Sequence, residues 1–176
     1  MVSVMAANSE TGVLTPVADV RDLVPSARAR LHVGATRLTG RMRFHFAHSR
    51  IDPVSLSAHS LRGPKGIGEL LVRQGVTQVP QVQGNQKRHR RGGTENLPAI
   101  ADFTAAPERI SETASVAALR DALEQRLRCA LPAVHVLSAQ ASRLPGTSYL
   151  RFGEVYAEVV LQRLELLGVA ASSGAA

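Results

Sequence analysis

The stretch from Ser55 to Gly68 is rich in groups that could hold a ligand. It combines hydroxyl side chains, one histidine, and a turn made of glycine, proline and lysine. Ser57 and His59 lie at the end of an expected strand, where hydroxyl and imidazole groups suit a phosphate. Strand-end residues that only bond to local partners would give the same pattern, so both interpretations stay open. Ser60 comes next and offers only a hydroxyl.

Positive charge is the second chemical feature, with a formal net charge of +7 and a pI near 10.9. Much of the excess lies in one run from Lys87 to Arg91. A basic patch without a recognisable binding module is weak evidence for nucleic acid. The run is therefore interpreted as a solvated loop, and no nucleic-acid partner is expected.

Cys129 is the only cysteine, so no internal disulfide can form, and a reducing cytoplasm is expected. We expect this thiol to be a small buried group within a helix. The apolar stretch 156–171 is interrupted by charged and amide side chains, and the first residues lack a signal-peptide pattern. Neither a membrane segment nor a metal site is predicted.

Short apolar runs bounded by Gly or Pro predict the elements of the first part of the chain. The expected strands are a buried one over Val2–Ala7, then Leu31–Val33 ending at Gly34, Val54–Ser57 and Glu69–Val72. A helix opening at Pro16 is expected, with Val17, Val20, Leu23 and Val24 on one face. This alternation predicts an α/β fold with a largely parallel sheet.

Beyond residue 80 the pattern changes. Residues 80–96 are too polar for a core, and a short helix is expected over Asn96–Ala105, with Pro107 breaking the pattern. A helix from Ser111 to Leu131 follows, and its apolar stripe is formed by Val116, Leu119, Leu123 and Leu127. Strands over Val134–Leu137 and Tyr149–Phe152 and a helix over Val155–Leu167, stopped by Gly168, complete a small α+β unit.

Several gapless stretches resemble the cysteine desulfurases, which belong to the class V aminotransferases. They are VMAANSETGVLTPVADV, SLSAHSLRGPKGIGELLVRQGV and RRGGTENLPAIADFTAA, with LRDALEQRLRCALPAVHV, RLPGTSYLRF and LGVAASSGAA toward the end. The resemblance implies a fold-type I, pyridoxal phosphate-dependent homodimer that takes sulfur from L-cysteine for iron-sulfur cluster or nitrogenase cofactor assembly. It also implies that residues 1–106 are the second half of the large cofactor domain and residues 107–176 part of the small domain. On this view the chain is a piece of something larger.

The family's chemical groups are then matched position by position. Ser60 stands where the family has its Schiff-base lysine, which bonds covalently to the cofactor aldehyde. Gly34 stands where an aspartate keeps the pyridine nitrogen protonated, and Arg37 where a glutamine bonds the ring oxygen. Ser9 replaces an asparagine that touches the cofactor, and residues 82–89 replace a glycine-rich loop.

The resemblance extends to the residues that bind the cofactor phosphate in the family. Ser57 and His59 match residues that hold the cofactor phosphate, and Thr94 matches one that reaches the phosphate of the other subunit. Lys65 matches a second family lysine and is expected to be structural. The family's persulfide cysteine would follow the last residue of the chain, and Cys129 is not expected to replace it.

Three functions remain open. The chain is a desulfurase-like protein without catalysis, an active desulfurase whose true sequence is longer or misread, or a non-catalytic partner of an intact desulfurase or an iron-sulfur scaffold protein. The joint loss of lysine, aspartate, glutamine and thiol favours the first, because each of those groups serves a separate step.

Overall fold

The computed structural model describes residues 1–24, 29–105 and 113–174. The chain forms two compact units. The first comprises Met1–Ala6 and Pro16–Ser111, and the second comprises Ala7–Thr15 and Glu112–Ala176. The expected domain boundary at 106/107, the break at Pro107 and the helix start at Ser111 lie outside the described residues.

A four-stranded sheet is the centre of the first unit. Its strands lie in the order β1 (Val2–Met5), β2 (Leu31–Gly34), β3 (Pro53–Ser57) and β4 (Gly68–Val72). The first three are parallel, as expected, whereas β4 is antiparallel to β3, so the sheet is mixed. Only ten residues separate β3 from β4, too few for the crossover that a parallel neighbour requires.

One face of this sheet carries the apolar core. Leu31, Val33 and Val54 have no exposed surface, and Ile51 is 2% exposed. Helix α1 (Val17–Leu23) follows β1, and its Val17 and Val20 pack against this core. The expectation for Leu23 is wrong, because its side chain is 82% exposed. On an α-helix with 3.6 residues per turn, Leu23 points roughly 90° away from the mean direction of Val17, Val20 and Val24.

Strand β1 is not buried as predicted. Val2 is 37% exposed and Met5 is 50% exposed, because β1 pairs only with β2 and forms an edge of the sheet. The burial expected for this run is found just beyond the strand, where Ala6 and Ala7 are 3% and 2% exposed.

Helix α2 (Leu97–Ala105) ends the described part of the first unit and confirms the expected short helix. The second unit contains α3 (Thr113–Ala130), the antiparallel pair β5 (Val134–Val136) and β6 (Leu150–Phe152), and α4 (Ala157–Leu166). Gly168 ends α4 in a left-handed conformation with φ of 74°, and its N–H donates to the carbonyl of Glu165.

The apolar stripe of α3 does not face a core, and the expectation that Cys129 is buried is wrong. The apolar stripe is mostly solvent-exposed, with Leu119 71% exposed and Leu123 50% exposed. Glu124 is buried instead. Cys129 is also exposed rather than buried, because on the helix it lies about 140° around the axis from Glu124.

Among the described residues, no helix has both the length and the apolar character needed to cross a membrane. The same residues contain no group of three or more side chains arranged to ligate a metal ion.

Candidate functional site

The polar turn after β3 is built on two buried side chains. β3 runs to Ser57, and a short 3-10 turn over Ala58–Leu61 follows, in which Ala58 and Leu61 are buried. The Oγ atom of Ser57 lies 2.8 Å from Nδ1 of His59. The structure therefore brings together the two residues expected to hold a phosphate and gives each a local partner.

Ser60 lies in the same turn and is half-buried. The chain contains only two lysines, Lys65 and Lys87, and both are exposed. The turn therefore presents a hydroxyl at position 60, and the nearest lysine in sequence is five residues further on.

Gly34 ends β2 without crowding. A Cβ atom built on it would lie 3.8 Å from Oγ of Ser55 and 3.9 Å from the carbonyl of Val4, which are ordinary contacts. The first side-chain atom of another residue therefore has room, so the backbone does not require glycine at this position.

Beyond β2, positive charge occupies the region where the resemblance implies an acid and an amide. Arg37 is half-buried, and its carbonyl accepts a 3.3 Å hydrogen bond from Nη1 of Arg41. Burial, and next the neighbouring charge of Arg37, lower the pKa of Arg41. The segment 35–41 therefore carries positive charge and supplies no carboxylate.

A second histidine spans the first three strands. Nδ1 of His32 on β2 lies 2.6 Å from Oγ of Ser3 on β1, and Nε2 lies 3.0 Å from Oγ of Ser55 on β3. Both ring nitrogens thus have a partner, which fixes the ring on the sheet face opposite the core. Sequence analysis missed this cluster, although the two-residue period places Ser3, His32 and Ser55 on one face once the register is known.

Ser9 belongs to the second unit. It lies half-buried in a turn that Asn8 holds, because the side-chain oxygen of Asn8 accepts hydrogen bonds from the N–H groups of Glu10 and Thr11, each 2.9 Å long. Gly12 closes the turn with φ of 73°.

Thr94 is exposed and lines a cavity of about 740 Å³ in the first unit. Of the described residues, Ser57, His59 and Ser60 are not among those lining this cavity. The role expected for Thr94, at the phosphate of the other subunit, stays a prediction.

A mixed α/β sheet followed by a smaller α+β unit agrees with the partial fold that the resemblance implies. The chain belongs to the aminotransferase class-V family, whose model matches residues 1–176.

Its relatives by sequence are cysteine desulfurases. The chain is 40% identical over 180 residues to one from Gluconacetobacter diazotrophicus, covering 99% of this chain and 45% of that protein. It is 37% identical over 182 residues to the cysteine desulfurase NifS of Azotobacter vinelandii, covering 100% of this chain and 45% of the relative.

Solved structures agree. A NifS-like protein matches with a TM-score of 0.88 and 31% identity, over 97% of this chain and 48% of its own. The NifS-like protein from Rickettsia africae matches with a TM-score of 0.89 and 28% identity, over 98% and 49%. The chain thus spans about half the length of the relatives and structures that it matches.

The family implies pyridoxal phosphate, and the residues present fit that group only in part. Ser57 and His59 could hold a phosphate. Position 60 has no amine for the aldehyde, and position 34 has no carboxylate for the ring nitrogen. The site of the first unit therefore does not fit the covalently attached cofactor.

Proposed function

We propose that this chain is a cysteine desulfurase-like protein that does not itself release sulfur from L-cysteine. The observation that carries the proposal is Ser60, half-buried in the turn directly after β3. A hydroxyl cannot form the carbon–nitrogen bond through which a lysine holds the cofactor aldehyde.

The surroundings of β2 support the same conclusion. Activation of a pyridine ring as an electron sink needs a carboxylate beside its nitrogen. Gly34 supplies none, and Arg37 and Arg41 place positive charge nearby in the chain. Placing a lysine at position 60 alone would therefore still leave the pyridine nitrogen without a neighbouring carboxylate.

The wider role follows from the relatives and stays part of the proposal. The chain would act in the cytoplasm, in iron-sulfur cluster or nitrogenase cofactor assembly, and would form the homodimer that is typical of the family. Pyridoxal phosphate would bind weakly, through its phosphate only, to Ser57 and His59.

A second candidate is a non-catalytic partner of an intact desulfurase or of an iron-sulfur scaffold protein. The exposed apolar side chains favour it. In the second unit they include Leu119 and Leu123 on α3, and in the first unit Val2 and Met5 on the edge strand β1. Exposed apolar surface and an open strand edge are features of interaction surfaces.

The test of the first proposal is sulfide release from L-cysteine with added pyridoxal phosphate, measured beside a full-length cysteine desulfurase. We expect sulfide from the full-length enzyme and none above background from this chain. Sulfide above background that depends on both L-cysteine and the cofactor would overturn the proposal. The partner role is tested by co-purification with the full-length enzyme.

A further inference from the structure

A cavity of about 740 Å³ in the first unit has a strongly cationic wall. Most of its lining comes from three segments: the turn and start of β4 over 66–70, the loop over 87–91, and the residues just before α2 over 94–96. Val72, Gln78 and Ile100 complete it. We call it the basic cavity. Thr94, which the resemblance places at the phosphate of the other subunit, is among its lining residues, whereas Ser57, His59 and Ser60 are not.

Four cations of one loop line the basic cavity. They are Lys87, Arg88, Arg90 and Arg91. The carboxylates among the lining residues are Glu69 and Glu95, and within the described part of the chain no ion pair joins them to the four cations. Positive charge therefore exceeds negative charge along its wall.

Elsewhere in the chain, two clusters of arginines are each balanced by a buried carboxylate. In the first unit, Arg21 and Arg30 both lie within 3.5 Å of the carboxylate oxygens of Asp52. In the second unit, Arg143 forms a 2.9 Å ion pair with Glu124. The basic cavity thus differs from those clusters, where a buried carboxylate balances the arginines.

The loop that carries the cations is closed at its base. The N–H of Gly92 donates a 2.7 Å hydrogen bond to the carbonyl of Val82, and a Cβ at Gly92 would lie only 2.0 Å from the carbonyl oxygen of Gln83. Within the loop, Lys87, Arg88 and His89 have φ of 48°, 56° and 60°. Three successive side-chain-bearing residues in the left-handed region are unfavourable, and such strain gathers at ligand sites.

We propose that the basic cavity binds a small polyphosphate anion. Its volume falls within the range of roughly 300–1,000 Å³ that is usual for small-molecule sites. Arginine and lysine are the side chains that bind phosphate groups most effectively. A single-stranded nucleic acid is disfavoured, because such sites stack bases on aromatic rings and none of the described lining residues is aromatic.

The experiment uses pyrophosphate as the probe and isothermal titration calorimetry on the whole chain. Saturable binding of one pyrophosphate per chain is expected, and it weakens as salt screens the charges. Replacing Lys87, Arg88, Arg90 and Arg91 together by Ala is expected to weaken binding at least about tenfold. The matched control removes four exposed arginines outside the basic cavity, Arg43, Arg126, Arg151 and Arg163, and is expected to bind like the unmodified chain.

A second measurement needs no variant. Pyrophosphate is expected to protect Arg88, Arg90 and Arg91 from modification by phenylglyoxal, while Arg163 reacts as before, as read by peptide mass spectrometry. Three results would overturn the proposal: no binding at millimolar pyrophosphate, equal losses in the two quadruple variants, or binding of a single-stranded oligonucleotide that pyrophosphate does not displace.

Discussion

Glu124 lies on α3 and is 4% exposed. Arg143 donates to its two carboxylate oxygens at 2.9 and 3.1 Å, and Ser148 donates at 2.8 Å. Burial alone would raise the pKa of Glu124, but the hydrogen bonds from Arg143 and Ser148 outweigh it. They hold the pKa of this carboxyl below its ordinary value of about 4.5. The hydrogen bonds of the Glu124 side chain therefore link α3 to the segment 143–148.

Glu124→Gln is expected to lower the free energy of unfolding by about 1–3 kcal/mol at neutral pH, because Arg143 keeps a buried charge with a weaker partner. The matched control is Glu154→Gln, since Glu154 is exposed. Urea unfolding followed by circular dichroism measures both variants. Equal unfolding midpoints for the two variants would contradict the assigned role of Glu124.

The same carboxylate predicts a pH dependence. Its folded pKa is depressed, so its contribution is fully present above the unfolded value and is lost as pH falls through the folded pKa. Acidification below about pH 4.5 should therefore destabilise the unmodified chain more than Glu124→Gln. The urea midpoint measured across the acidic range tests this, and parallel curves for the two proteins would refute it.

Among the elements, the turn over residues 8–12 depends on one glycine. Gly12 has φ of 73°, and a Cβ on it would lie 2.7 Å from Cβ of Thr147 in the same unit. Gly168 has φ of 74° in that unit, but nothing lies within 4 Å of its Cβ position. Substitutions at these two glycines therefore separate the energetic cost of backbone strain from that of a steric clash.

Gly168→Ala should therefore cost only the conformational strain, about 1 kcal/mol. Gly12→Ala should cost more, about 2–4 kcal/mol, because Thr147 must also move. Thermal unfolding of both variants makes the comparison. A Gly12→Ala variant as stable as Gly168→Ala would show that the segment around Thr147 yields without penalty.

The existence and type of the elements follow from local signals. Each expected strand and helix with described residues is found, because turn residues such as Gly, Pro and Asn bound most of the apolar runs. Local signals do not predict the antiparallel direction of β4, the exposed edge strand β1 or the exposed face of α3, because these features depend on which surfaces pack together in the fold. The Ser3–His32–Ser55 cluster likewise needs the register of three strands. The contact between Ser57 and His59 can be expected from the sequence, because the two residues are only two positions apart.

At the scale of the whole molecule, both units present apolar side chains to solvent. On α3 these are Val116, Leu119 and Leu123, and beyond it α4 exposes Val159 and Leu166. Such side chains promote association, whether with a partner or with other copies of the chain. The chain is therefore expected to self-associate as its concentration rises, and a sample that stays monomeric at every concentration tested would contradict that expectation.

Polar substitution of the α3 face should improve solubility without a loss of stability. Leu119→Gln combined with Leu123→Gln should raise the monomer fraction in size-exclusion chromatography and change the free energy of unfolding by less than about 1 kcal/mol. The contrasting variant is Leu144→Ala, which removes a fully buried side chain and should cost about 2–5 kcal/mol. A double variant that aggregates like the unmodified chain would exclude this face as the cause.

The most direct test of the central claim is to trap covalently bound cofactor. The chain is incubated with pyridoxal phosphate, reduced with borohydride and mapped by mass spectrometry, with a full-length cysteine desulfurase as positive control. The account predicts no stoichiometric pyridoxyl group on Lys65, and a gain of label at position 60 in Ser60→Lys, because the turn that carries Ser57 and His59 is retained. A stoichiometric pyridoxyl group on Lys65 of the unmodified chain would contradict the account.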